Sequence, residues 1–234
     1  MRSIWLVAAC ALLGLWLVVG LKGRGGSLQP QPVREQEPEP VTVVKQPVNF
    51  ATRTFDPAAP PPDMPPLGPG EAALCDSGFT SSANITGESH RSDATHAVVT
   101  ITHVNVTLQL NVTIWVPNNA TEKVIEHEQG HRQISEYYYK SADKLAERIA
   151  ETYLGRRVEV SGSDLGGEAN RLLEQMAQGF TNEYNKELDP DPAQQLYDTI
   201  TDHSRNDMAA KDAVEVALKD AEETSPHPVA TAVN

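Results

Sequence analysis

Cysteine is almost missing from this chain: two residues in 234. Cys10 lies in an N-terminal apolar run, which leaves Cys75 alone in the rest of the chain, so no disulfide can form within that part. With no Cys-x-x-Cys context, Cys75 is also a poor metal ligand. Positive charge is scarce. Nineteen Lys and Arg face 32 Asp and Glu, for a net charge of −13 and a pI near 4.9. No basic stripe appears, which argues against a nucleic-acid partner. Long apolar runs are absent but for one, Ile4 to Leu21, preceded by Arg2 and followed by Lys22 and Arg24. It is just long enough to span a bilayer. Residues 1–21 read as an uncleaved signal anchor, with a signal peptide cleaved after Gly20 as the alternative. The expected location is the cell envelope, on a single inner-membrane pass facing the periplasm, or outside the cell after cleavage. Oligomeric state is not legible.

Most of the seventeen prolines fall between residues 22 and 70, among them Pro60-Pro61-Pro62 and Pro65-Pro66. Such a composition favours polyproline-like extension over core burial, so 22–70 reads as a spacer. A folded domain is expected over 71–223 and a disordered tail over 224–234. Phe79–Thr86, Ala97–Val106 and Leu108–Val116 are rich in β-branched residues and read as strands. Apolar residues alternate with polar ones from Val104 to Ile114, as in a half-buried antiparallel strand. Pro117-Asn118-Asn119 ends the last of these, with Asn119 as a helix cap. Helical periodicity then predicts one long amphipathic helix from about Ala120 to Leu154, stopped by Gly155. Further helices are expected over about 167–188, 194–200 and 207–222.

What is present on the long helix carries chemistry. His127-Glu128-Gln129-Gly130-His131 is an H-E-x-x-H sequence, the zinc-peptidase signature. Histidines four positions apart project from one helical face and can share one zinc ion. Glu128, one residue on, can take a proton from water at the metal and hand it to a leaving amine. Both histidines lie on the stripe continued by Ile134, Tyr138, Ala142 and Leu145. Core histidines are the bland alternative. Two of them beside a carboxylate on an apolar face are harder to explain that way, because a buried charge needs a partner or a metal. Gly130, unfavourable in mid-helix by about 1 kcal/mol, suggests that something packs close to the backbone.

A catalytic zinc needs a third protein ligand and an open position. Glu136, Asp143 and Glu147 fall on the far face of the helix, so the ligand must come from another segment. His90, His96, His103, His203 and His227 are available. A helix of the form H-E-x-G-H after a small sheet, followed by Y-D-x-x-T-x-H near the C-terminus, resembles a bacterial family of unknown function described as predicted secreted zinc-dependent proteases. The resemblance covers about Phe79 to Glu222. Tyr197, Asp198, Thr201 and His203 match the second motif, and Ser204 stands where the family has glycine. The resemblance implies His203 as third ligand, with Asp198 as the alternative ligand or as a carboxylate that orients a zinc histidine. Tyr197 could donate a hydrogen bond to an oxyanion, or be a core residue.

These readings combine into one expectation. The fold is α+β and zincin-like, a small antiparallel sheet packed on the long H-E-x-x-H helix and further C-terminal helices. The function is zinc-dependent hydrolysis of a peptide or protein substrate. The competing class is a catalytically inert, zinc-stabilised binding or structural module of the envelope, with a closed four-ligand site if Asp198 joins the three histidines.

Overall fold

A single strand organises the domain. In the computed structural model, which describes residues 39–224, Val104, Val106, Leu108, Leu110, Val112 and Ile114 are each no more than 1% exposed. Their neighbours Asn105, Thr107 and Asn111 face solvent. This period of two fixes one buried and one open sheet face. The strand runs without interruption as β4, His96–Pro117, rather than as the two expected segments. β3, Leu74–Arg91, precedes it and pairs antiparallel along nearly its full length. The irregularity lies at Thr102, not Thr107. Thr86 pairs with His103 and Gly87 with Ile101, so Thr102 bulges out. The extra residue switches the inward parity from Ala97, Val99 and Ile101 to Val104 and Val106, which keeps all five on the helix-covered face. Gly87 is required there, because a Cβ would lie 2.4 Å from the Thr100 carbonyl oxygen.

β3 occupies one edge of β4, and three short strands share the other. β1 (Val41–Lys45) and β2 (Asn49–Phe55) pair parallel to its middle and end, and β5 (Arg157–Ser161) pairs antiparallel to its start. Two corrections follow. The sheet is mixed, not purely antiparallel. The expected spacer 22–70 supplies two of the five strands among the described residues, so the folded unit begins well before residue 71. Proline density hid short alternating runs such as Val41-Thr42-Val43-Val44, which have β4 as a ready partner. The predicted membrane segment, the first part of the spacer and the tail from 225, with His227, lie outside the described residues. Among the described residues no helix is long and apolar enough to cross a membrane.

The helices cover the apolar face. The cap of α1 (Glu122–Lys140) is not Asn119 but Thr121, whose hydroxyl accepts the Val124 N–H. The expected single long helix breaks at Ser141, and α2 (Ala142–Glu151) follows. The fully buried Ala142 and Ala146 let α2 lie close to the sheet. Lys45 of β1 secures the break: its ammonium donates to the Lys140 carbonyl at 2.8 Å and meets Asp143 at 2.6 Å. α3 (Leu165–Glu187), α4 (Asp191–Thr201) and α5 (Ala210–Thr224) complete the layer. The core joins β4 to Ile134, Tyr138, Ile149, Phe180, Tyr184 and Tyr197. The coarse expectation, a mixed α/β domain with a sheet backed by C-terminal helices, is what the structure has.

Candidate metal centre

Two helices build the site. On α1, His127 and His131 project from one face, with Ser135 one turn further on. On α4, Gln194, Tyr197, Asp198 and Thr201 recur at helical spacing and face α1. Gly130 allows the contact. A Cβ there would lie 2.1 Å from the Tyr197 hydroxyl oxygen, so the mid-helix glycine marks the crossing point of α1 and α4. Tyr197 is fully buried, stacks on the His127 ring at 5.0 Å and donates its hydroxyl to the His127 carbonyl at 3.1 Å. That hydroxyl is committed to the back of the site. The oxyanion role expected as one option for Tyr197 is therefore replaced by a buttressing one.

The histidine Nε2 atoms lie 3.2 Å apart, and Asp198 Oδ1 is 3.3 Å from His127 Nε2 and 3.0 Å from His131 Nε2. A tetrahedral ion with bonds of ~2.0–2.1 Å holds its ligand atoms about 3.3 Å apart. The hydrogen bonds behind the rings agree. Gln194 donates its amide to the His131 carbonyl and to Ser135 Oγ, which leaves Oε1 to accept from His131 Nδ1 at 2.6 Å. Thr201 donates to the Tyr197 carbonyl at 2.7 Å, so its oxygen accepts from His127 Nδ1 at 3.3 Å. Neutral imidazoles held this way turn both Nε2 lone pairs toward the Asp198 carboxylate. Three acceptors converging on one point are stabilised by a metal ion or a proton between them. His127, His131 and Asp198 are the group that could hold a metal ion among the described residues.

Without a metal, protons serve instead. Burial opposes charge on His131, but its bond to Asp198 prevails and raises its pKa. Burial likewise pushes the Asp198 carboxyl up, and hydrogen bonds from both histidines overcome it, leaving that carboxyl far below the usual range.

His203, expected as third ligand, stands one step out. It lies outside the mutually close group. Its Nδ1 is 3.4 Å from Asp198 Oδ1, buried, and without a hydrogen-bond partner among the described residues. The reason is local. α4 ends at Asp202, and Asp202, His203 and Ser204 all have left-handed φ, at 46°, 50° and 68°. After this turn the His203 ring lies 6.4 Å from the His127 ring, while Asp198, still helical, places Oδ1 close to both histidine Nε2 atoms. His90, His96 and His103 sit along the sheet away from the group.

Glu128 is 5% exposed and lies against β3 at Cys75. Burial raises its pKa to about 7, helped by Glu71 and Asp198 and opposed by His131. Burial also pushes the Cys75 thiol well above its ordinary value, so it stays protonated. A cavity of about 510 Å³ opens here, lined by His127, Glu128, His131 and Asp198 together with β3 from Leu74 to Phe79. The Gln194 and Thr201 contributions were missed from the chemistry of the sequence. Gln194 was findable, since it stands one helical turn before Asp198. No family model matches the chain, and no curated protein and no solved structure is significantly similar to it.

Proposed function

We propose that this chain is a zinc-dependent peptidase of the cell envelope, with His127, His131 and Asp198 as metal ligands and Glu128 as general base. The observation that carries the reading is the convergence of three acceptor atoms at tetrahedral spacing beside a buried carboxyl, at the wall of an open cavity. A divalent ion held there supplies Lewis acidity toward a carbonyl and toward water. Two imidazoles and a carboxylate favour zinc among the common ions. Glu128, poised near neutrality, takes a proton from the attacking water and returns it to the departing amine. Tyr197, Gln194 and Thr201 hold the histidine rings and their tautomers.

The substrate backbone has a natural place. β3 pairs with β4 on one side, and its other edge has no strand beside it among the described residues. Cys75 of β3 and Glu128 line the same cavity, so an extended peptide alongside β3 would pass the reacting groups. The resemblance to predicted secreted zinc-dependent proteases belongs to the same proposal; it implies His203 as third ligand and Asp198 as the alternative, and the spacing of the donor atoms supports Asp198. His203 beside Asp198 favours one variant of the inert-module reading, in which a shift of the turn makes it a fourth ligand and closes the site.

Metal content decides the ligand set. The full chain should bind one zinc, Asp198→Asn should lose it, and His203→Ala should keep it. Loss in both variants would add His203 to the ligands. Absence of zinc from the parent chain would end the proposal. In a zinc-loaded Glu128→Gln chain, turnover should vanish while metal stays; retained hydrolysis would remove Glu128 from the mechanism.

A further inference from the structure

The walls of the cavity are acidic on every side. Besides Glu128 and Asp198 they carry Glu71 from the segment before β3, Asp76 from β3, and Asp189 and Asp191 from the turn between α3 and α4. No Lys or Arg is among the described residues that line it. Elsewhere the acids of this chain often have a cation at hand: Asp63 has Arg53, Asp143 has Lys45, Glu136 has Arg132 and Glu168 has Arg171. Glu71, Asp76, Asp189 and Asp191 make no ion pair among the described residues. Glu71 accepts the Gly68 N–H at 2.6 Å, and Asp189 accepts the Asp191 N–H at 3.1 Å. These neutral donors orient the carboxylates without cancelling their charge. A divalent ion would be balanced locally by Asp198 and Glu128, which leaves the four wall carboxylates uncompensated. A concave, low-dielectric wall of one sign concentrates counter-charge. His127 and His131, with Asp198 of the candidate metal site, line the same cavity. The cavity thus joins the candidate metal group to these carboxylates.

We infer that the site selects peptides carrying Lys or Arg beside the bond presented to the metal, their cationic side chains lying against Glu71, Asp76, Asp189 and Asp191. This rests on the peptidase reading for the position of the substrate backbone. The selectivity comes from the walls. Successive side chains of an extended peptide along β3 point to alternate sides, so one basic side chain would meet the Asp76 side and the next the side of Asp189 and Asp191. An acidic peptide would meet like charge throughout, which suppresses wrong partners more strongly than attraction favours right ones.

Binding tests this apart from turnover. The zinc-loaded full chain carrying Glu128→Gln is titrated with three fluorescent octapeptides that differ only in bearing Lys, norleucine or Glu at two central positions. The Lys peptide should bind about tenfold tighter than the norleucine peptide, and the Glu peptide more weakly than either. The margin should shrink with added salt and fall to about threefold or less in Asp76→Asn with Asp189→Asn, an isosteric pair of changes. Equal affinities, a preference for Glu, no binding of the Lys peptide, or a margin unchanged in the double variant would each overturn the inference. Preferential binding of the Lys peptide without cleavage by the unmutated chain would uphold it and remove the peptidase reading instead.

Discussion

Gly130 shows how much one missing methyl group does. The sequence marks it as an unfavourable residue in mid-helix, and the structure gives the cause, a tyrosine hydroxyl where the Cβ would be. Gly130→Ala should lower stability by at least about 2 kcal/mol despite the ~1 kcal/mol helix preference of alanine, because Tyr197 and α4 must retreat. It should also weaken metal binding, since Asp198 rides on α4; thermal melting and metal titration read the two effects. Ser204 is the opposite case. At φ 68° it holds a left-handed conformation that costs a non-glycine residue roughly 1 kcal/mol. Ser204→Gly should therefore raise stability by roughly 0.5–1 kcal/mol, less whatever glycine's unfolded-state entropy takes back. An unchanged or lower melting temperature would show that the turn is not strained there.

Glu128 gives a pH dependence with a definite sign. Its pKa rises from 4.5 to about 7 on folding of the metal-free chain, with burial the main cause. Between those values the folded state holds the proton that the unfolded state has released. Stability is thus full below pH 4.5 and declines as pH rises toward 7. The shift corresponds to roughly 3 kcal/mol. Glu128→Gln should flatten that decline, matching the parent at pH 4 and exceeding it at pH 8, as denaturant unfolding would reveal.

Elements carry the next level. α4 brings four functional side chains to α1 because Gln194, Tyr197, Asp198 and Thr201 share a helical face. Its end in three left-handed residues leaves Asp198 close to both histidine Nε2 atoms and His203 outside that group. β1 and β2 matter as much to folding. They occupy the edge of β4 opposite β3, and Lys45 ties β1 to the junction of α1 and α2. A chain cut to residues 71–234 loses both strands and bares the β4 edge, which invites aggregation. It should lack a cooperative thermal transition, whereas a chain beginning at residue 38 should keep one. Cooperative melting of the shorter chain would show that β1 and β2 are dispensable.

At the scale of the molecule, one face of the mixed sheet carries the helices and the core, and β3, with no strand on its other edge among the described residues, lines the cavity with Glu128. Helix packing thereby converts sequence neighbours on α1 and distant residues on α4 into one wall of an open cavity. Metal affinity should fall as pH drops, since the proton held by His131 competes with the ion and metal binding must release it. Zinc titrations at pH 8 and pH 5.5 should differ by at least about tenfold in affinity.

The sequence by itself determined the parts that depend on local spacing. The pairing of His127 with His131, the place of Glu128 at the rim of their face, the inward alternation of β4 and the helical stretches after residue 120 all follow from periods of 3.6 and 2. Tertiary structure decided what depends on distant partners. β1 and β2 are strands because β4 offers them an edge, which no reading of a proline-rich stretch reveals. The bulge at Thr102 is set by pairing with β3. Asp198 stands among the donor atoms and His203 beside them because a left-handed turn redirects the backbone after α4. Spacing fixes which side chains share a face; only packing fixes which of two neighbouring candidates arrives at the same point in space.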